Sequence, residues 1–217
     1  MPGGAGDLAY AGAVIRFHAG DPRRSRRARV GGTLLAAALL MWPAGAGAAA
    51  ADGSLDRLVA LVVERLNTAD AVAAAKWVTA GELGIEPTID DPAREAEVYD
   101  AMARLGDGRD LPEDWVRQVF LGQIEANKTV QRGLMLQWRF DPAAAPIAPA
   151  GLASVRPIID RVNVEILDQL AMHRTELTAP DCAERLARSV FGVFTTGNGD
   201  ALHRAALVRA AVSLCRS

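Results

Sequence analysis

The stretch SLDRLVALVVERLNTADAVAAAKWVT, residues 54–79, decides the fold. Its apolar residues recur as Leu55, Leu58, Val59, Val62, Val63 and Leu66, then Val72, Ala75 and Val78. That is the three-and-four spacing of a helix with one buried face, not the alternation of a strand. Ser54 can cap the start, with Asp56 in the first turn, where the helix dipole favours an acid. No proline falls between 54 and 86, so one long helix is expected to about Thr79.

The same logic runs outward. GELGIEPTIDD, 81–91, reads as a loop. Asp91 caps a second helix with Pro92 at its first position, running through Val98 and Met102 to Leu105. GDGRDLP ends it, and Pro112 and Glu113 open a third helix to about Arg139. A proline-rich connector, 141–151, leads to a fourth helix that Ser154 can cap, with Pro157 tolerated in its first turn. Asp181 can cap a fifth helix to Phe194, and a last helix carries Cys215. No run alternates like a strand, and the composition, rich in Ala and Leu and poor in aromatics, favours helix. The expectation is an all-α domain of about six helices.

The first fifty residues differ in kind. Arg23, Arg24, Arg26, Arg27 and Arg29 precede TLLAAALLMW, 33–42, and then PAGAGAAAADG. A basic block, a short apolar run and small residues mark an export signal, with cleavage expected after Ala51. The apolar run is too short for a bilayer, which needs about 20 residues. The tail before Arg23 is long for a signal, so either translation starts downstream of Met1 or the arginine pairs address a twin-arginine route. The division expected is an export segment, 1–51, and a helical domain, 52–217, with no stable membrane insertion after cleavage.

From Asp52 onward, 18 basic residues face 24 acidic ones, a net charge of −6. That argues against nucleic acid or an anionic membrane as the main partner. An acidic protein that binds an anion must do so with local cations. The two cysteines, Cys182 and Cys215, both fall in the exported part. In an oxidising compartment a bridge is expected, worth about 3–4 kcal/mol by chain entropy, with two free buried thiols the alternative.

Several cations and amides stand at helical spacing. Arg65 and Lys76 are 11 residues apart, close to three turns, so they share a face about 16 Å apart along the axis. Asn127 and Gln131, four apart, share a face of the third helix. Arg94 and Arg156 fall in the first turns of the second and fourth helices, where the dipole adds positive potential. Singly, each reads as a surface residue or a good helix former. Asn127 also opens an Asn-Lys-Thr sequon, read here as chance in mid-helix.

Together they carry a resemblance. ERLNTADAVAAAKW (64–77), IDDPARE (89–95) and VFLGQIEANKTVQ (119–131) resemble the secreted γ-subclass of the all-helical chorismate mutases. The likeness covers nearly the whole exported part: an Arg–Lys pair 11 apart, an Asp-x-x-Arg step, the polar pair four apart, an Arg after the connector and the C-terminal cysteine pair. It implies an enzyme that turns chorismate into prephenate by a [3,3] rearrangement, without cofactor or metal, as a homodimer. Carried over by position, Arg65 and Arg156 would clamp the two carboxylates, with Arg94 assisting. Lys76 and Gln131 would bind the ether oxygen, Asn127 a carboxylate, and Asp91 and Glu95 would lie near the ring hydroxyl. The span from Lys76 to Asp91 is longer than in compact helical relatives.

The residue types agree with a pericyclic step, which needs no nucleophile or proton shuttle. The sequence has no G-x-S-x-G and no His pair at metal spacing, and GNGDAL lacks the third glycine of a dinucleotide loop. His173 and His203 read as structural. The alternatives are an exported helical binding protein that kept the fold without catalysis, and a purely structural helical domain whose cations point to solvent.

Overall fold

A computed structural model describes residues 54–147, 151–196 and 199–216. The expected export segment, 1–51, lies outside them. Among the described residues seven α-helices follow in order: α1 Asp56–Leu83, α2 Pro92–Asp107, α3 Glu113–Phe140, α4 Leu152–Met172, α5 Arg174–Leu177, α6 Cys182–Thr195 and α7 Ala201–Val212. A 3₁₀ turn, Pro142–Ala144, continues from α3.

The long helix read from 54–79 lies at the centre, packing against α3, α4, α6 and α7, while α2 lies across α3 and α4. Leu58, Val59, Leu61 and Val62 of α1 are fully buried with Trp115, Val116, Val119 and Phe120 of α3 and Val162, Ile166 and Leu167 of α4. Gly122 and Gly133 lie three turns apart on the α3 face toward α7. A Cβ at either would overlap the side chain of Ser213 or Leu202, so these glycines let α7 approach closely. The disulfide joins Cys182 to Cys215 with Cα atoms 5.9 Å apart. The C-terminal segment is stitched down further: Trp115 Nε1 donates to the Leu214 carbonyl at 2.9 Å, and the Arg216 N–H to that of Leu177 at 3.0 Å.

Several details differ from expectation, beginning with Ser54: Leu55 holds the N-cap position of α1, and Ser54 Oγ accepts from the Asp56 N–H at 3.3 Å. α1 runs past Thr79 to Leu83, where Gly84 supplies the left-handed residue (φ 64°) that closes it, so half of the long Lys76–Asp91 span is helix. α4 begins at Leu152 after Gly151, so Ser154 is not its cap and Pro157 sits inside the helix. Arg156 therefore belongs to the second turn, a step further from the N-terminal dipole than expected. Asp181 occupies the N-cap position of α6, but its carboxylate accepts from Arg185 at 2.9 Å instead of capping. Cys215 lies just past α7, so the bridge ties the start of α6 to the chain end. The single turn α5 is too short to show a period in sequence.

Candidate active site

A cavity of about 240 Å³ opens among α1, α2, α3, α4 and the 84–91 loop. All eight expected site residues line it: Arg65, Lys76, Asp91, Arg94, Glu95, Asn127, Gln131 and Arg156. Val72, Val98, Ile124, Leu152 and Ile159 supply apolar wall between them. The helical spacing explains the convergence: three turns of α1 carry Arg65 and Lys76 to opposite ends of one face, while the one-turn step of α3 stacks Asn127 on Gln131.

Arg65 is 5% exposed. Its Nε donates to Asn163 Oδ1 at 2.8 Å, and Nη1 to the Gln123 carbonyl at 3.1 Å. Both acceptors are neutral, and no carboxylate among the described residues stands within ion-pair range. Burial pulls the guanidinium down to about 10, only partly opposed by Tyr99. A charge so placed has lost its water and received only dipoles in return. Its remaining N–H groups suit a carboxylate.

Lys76 is half-buried. Its Nζ donates to the Ile89 carbonyl at 2.8 Å. Burial holds its pKa below the ordinary lysine value, with Asp91, Asp90 and Glu95 pulling the other way. Arg156 is exposed at the mouth and has no ion-pair partner among the described residues. Arg94 differs: its side chain is 55% exposed and pairs with Glu97 at 2.8 Å.

Gln131 and Asn127 form one unit on α3. Gln131 Nε2 donates to Asn127 Oδ1 at 2.7 Å, and Gln131 Oε1 is buried with no partner. Asn127 is itself buried, which agrees with reading its sequon as chance. Asp91 caps α2 by accepting from the Arg94 N–H at 3.1 Å, and Glu95 Oε1 accepts from the Asp91 N–H at 3.3 Å. These two acids thus shape the start of α2 while lining the cavity.

Two further residues were not singled out in sequence. Asn163 follows Arg156 by two turns on α4 and orients Arg65; that seven-residue step is visible in sequence once Arg156 is placed. Lys128 lines the cavity beside Asn127, and its acidic partners lie mostly in other segments that no local pattern connects. His203 bridges Asp70 and Asp200, each at 3.0 Å, a cross-link between α1 and the start of α7.

The arrangement can therefore seat a compact molecule carrying more than one negative charge, with apolar walls for its ring and donors at both ends. Comparisons with known proteins agree. Residues 54–132 match the family model for chorismate mutase type II. A secreted chorismate mutase of Mycolicibacterium smegmatis is 36% identical over 187 residues, covering 84% of this chain and all of the relative. One of Mycobacterium tuberculosis is 34% identical over 183 residues, covering 82% of this chain and 87% of the relative. The crystal structure of chorismate mutase from Burkholderia thailandensis superposes with a TM-score of 0.68 at 34% identity, covering 76% of this chain and all of that one.

Proposed function

The chain belongs to the secreted chorismate mutases, and from that membership we propose that it is an exported isomerase converting chorismate to prephenate in the cavity built around Arg65 and Lys76. The single observation that supports this site best is that three cavity cations, Arg65, Lys76 and Arg156, have no carboxylate partner among the described residues, in a protein whose exported part is acidic. A dianion satisfies what the fold leaves unmet.

In the rearrangement the ether C–O bond breaks as a C–C bond forms within one six-membered array of atoms, and nothing leaves. The protein's task is to hold a flexible substrate in its reactive conformer and to meet charge as it develops. Arg65 takes one carboxylate from the cavity floor, and Arg156 takes the other from the mouth. The two reacting ends already belong to one molecule, so the gain is that of freezing its internal rotations in the reactive conformer, on the order of a few kcal/mol. The ether oxygen gains negative charge as its bond breaks. The Lys76 ammonium, fixed beforehand by the Ile89 carbonyl, stabilises that oxygen more in the transition state than in the ground state.

Gln131 is the second donor to the ether oxygen. One of its two amide hydrogens is spent on Asn127, and the second is free. If both amides turn end for end, Asn127 Nδ2 donates to Gln131 Oε1, and the Gln131 amide nitrogen takes the place of the unpartnered oxygen with both hydrogens to offer. That exchange also satisfies the orphaned oxygen. Asn127, Arg94, Asp91 and Glu95 complete the substrate shell.

Residues 1–51 act as the export segment, and the protein is secreted. It forms a homodimer in which each protomer holds a complete site, a reading supported by the meeting of all eight expected site residues of one chain in one cavity.

The test is direct. Purified protein is incubated with chorismate, and the loss of its ultraviolet absorbance is followed. Turnover is expected, and Lys76→Ala should lower kcat/KM by at least about 100-fold, the scale of one lost oxyanion donor. Binding without turnover would make the protein a helical binder that kept only the fold. A fully active Lys76→Ala would remove that residue from the ether oxygen.

A further inference from the structure

Lys128 is a second buried cation on the wall of this cavity, its side chain 10% exposed. Its Nζ reaches Asp90 at 2.8 Å, Glu95 at 3.1 Å and Glu125 at 2.6 Å. The three acids come from three places: the end of the 84–91 loop, the first turn of α2 and the preceding turn of α3. Arg132, one turn along α3, also holds Asp90, at 2.8 Å. The residue next to Asp90 is Ile89, which lines the cavity and whose carbonyl accepts from Lys76 Nζ. Apart from these ion pairs, the loop is held by its ends, Gly84 closing α1 and Asp91 capping α2, by Ile89 packed against Ala73, Ala74, Met135 and Trp138, and by the exposed Arg139–Glu86 pair.

On the reading of the cavity as the active site, we propose that Lys128 is a positioning residue: by binding Asp90 and Glu95 it locks the 84–91 loop and the start of α2 to α3. The lock holds the Ile89 carbonyl where it fixes the Lys76 ammonium. Lys128 does not touch the substrate. Its place beside Asn127, with an acid cage around its ammonium, makes it a brace for a group that does. Two consequences separate bracing from a merely structural ion cluster. The effect of losing Lys128 appears in kcat more than in KM, because Lys76 acts on charge that develops during the reaction. The effect also runs through Asp90, so the two residues are not independent.

The experiment compares the wild type with Lys128→Met, Lys128→Arg, Asp90→Asn and the Lys128→Met/Asp90→Asn double variant. All are assayed with chorismate well below the lowest Tm of the set. Backbone hydrogen exchange of residues 85–91 is measured on the same samples without substrate. Lys128→Met is expected to lose about 10-fold in kcat with KM changed less than about threefold, and Lys128→Arg to recover most of it. Asp90→Asn should lose a few-fold, since Glu95 still ties Lys128 to α2 and the amide oxygen that replaces the carboxylate can still accept from Lys128 and Arg132, and the double variant should be no worse than Lys128→Met. Exchange across 85–91 should quicken in Lys128→Met. Unchanged kcat in folded Lys128→Met, or a loop whose exchange does not quicken, would overturn the proposal. Should the wild type itself leave chorismate untouched, the active-site reading fails, and the exchange measurement still judges the tether by itself.

Discussion

Two cations lie buried in the wall of one cavity, and they live in opposite surroundings. Arg65, on the floor, is held by two neutral oxygens, and burial drags its guanidinium down to about 10. Lys128, near the rim, is held by three carboxylates. Burial alone would lower its pKa, but hydrogen bonds to Asp90, Glu125 and Glu95 outweigh that and push it well above the ordinary lysine value. A buried charge with its counter-ions in place belongs to the framework. A buried charge without them is a standing demand that only a ligand can meet. The contrast separates the substrate's partner from the brace, although sequence gives both as basic residues in mid-helix.

The contrast breaks first at Arg65. Arg65→Met is expected to cost on the order of 1,000-fold in kcat/KM, because a charge-assisted carboxylate contact is lost where no water can replace it. Its Tm should hold or rise, since the variant removes a desolvated and unneutralised charge. Lys128→Met should do the reverse on stability and lower Tm, because it leaves three acids facing one another. Thermal unfolding of both variants checks the pair. If both lose stability alike, Arg65 is a framework residue too and the distinction falls.

Gln131→Glu sharpens the same contrast by placing an acid where the structure has kept a neutral donor. The protonated carboxyl can donate as the amide does; the carboxylate cannot, and it repels the oxygen that is gaining charge. The acid form prevails below the new group's pKa, so activity should be lost as pH rises through it. A fall of about tenfold in kcat/KM between pH 5 and pH 8 is expected in the variant. The parent should show no steep loss over that range, because its amide does not titrate. A variant as flat as the parent would take Gln131 away from the ether oxygen.

How much of this was legible in sequence follows from the range of each cause. The three-residue and four-residue spacing of Leu55, Leu58, Val59 and Val62 and the turn chemistry of Asp91-Pro92 act within one or two helical turns, and they placed the starts of α1, α2 and α3 to within a residue or two and the end of α3 to within one. Two boundaries slipped: α1 runs on until the left-handed Gly84 closes it, and α4 starts at Leu152, ahead of Ser154, after a Gly151 in ordinary extended backbone that no local signal marks. The site residues were legible as single helix faces. The resemblance, rather than periodicity, joined those faces into one cavity. Lys128 was missed because Asp90 and Glu95 lie 38 and 33 residues before it, and only the packed fold brings them to one ammonium.

The smallest expected effect belongs to Arg94, which stands between the two extremes. Its side chain is 55% exposed and already paired with Glu97. To reach a substrate it must release that partner, and water screens both contacts. Arg94→Ala should therefore raise KM by about fivefold, the scale of an exposed pair, with kcat nearly unchanged. Glu97→Gln carries the opposite sign: it frees Arg94, and KM should fall below the parent value. Raising the salt concentration should shrink both shifts, because exposed charges are screened within about 10 Å at 0.1 M. If Arg94→Ala instead costs as much as Arg65→Met and lowers kcat, Arg94 abandons Glu97 in the working enzyme and closes over the substrate. The exposed pair would then be a resting state of the cavity's mouth, and the sorting of cations by their partners would hold only for buried ones.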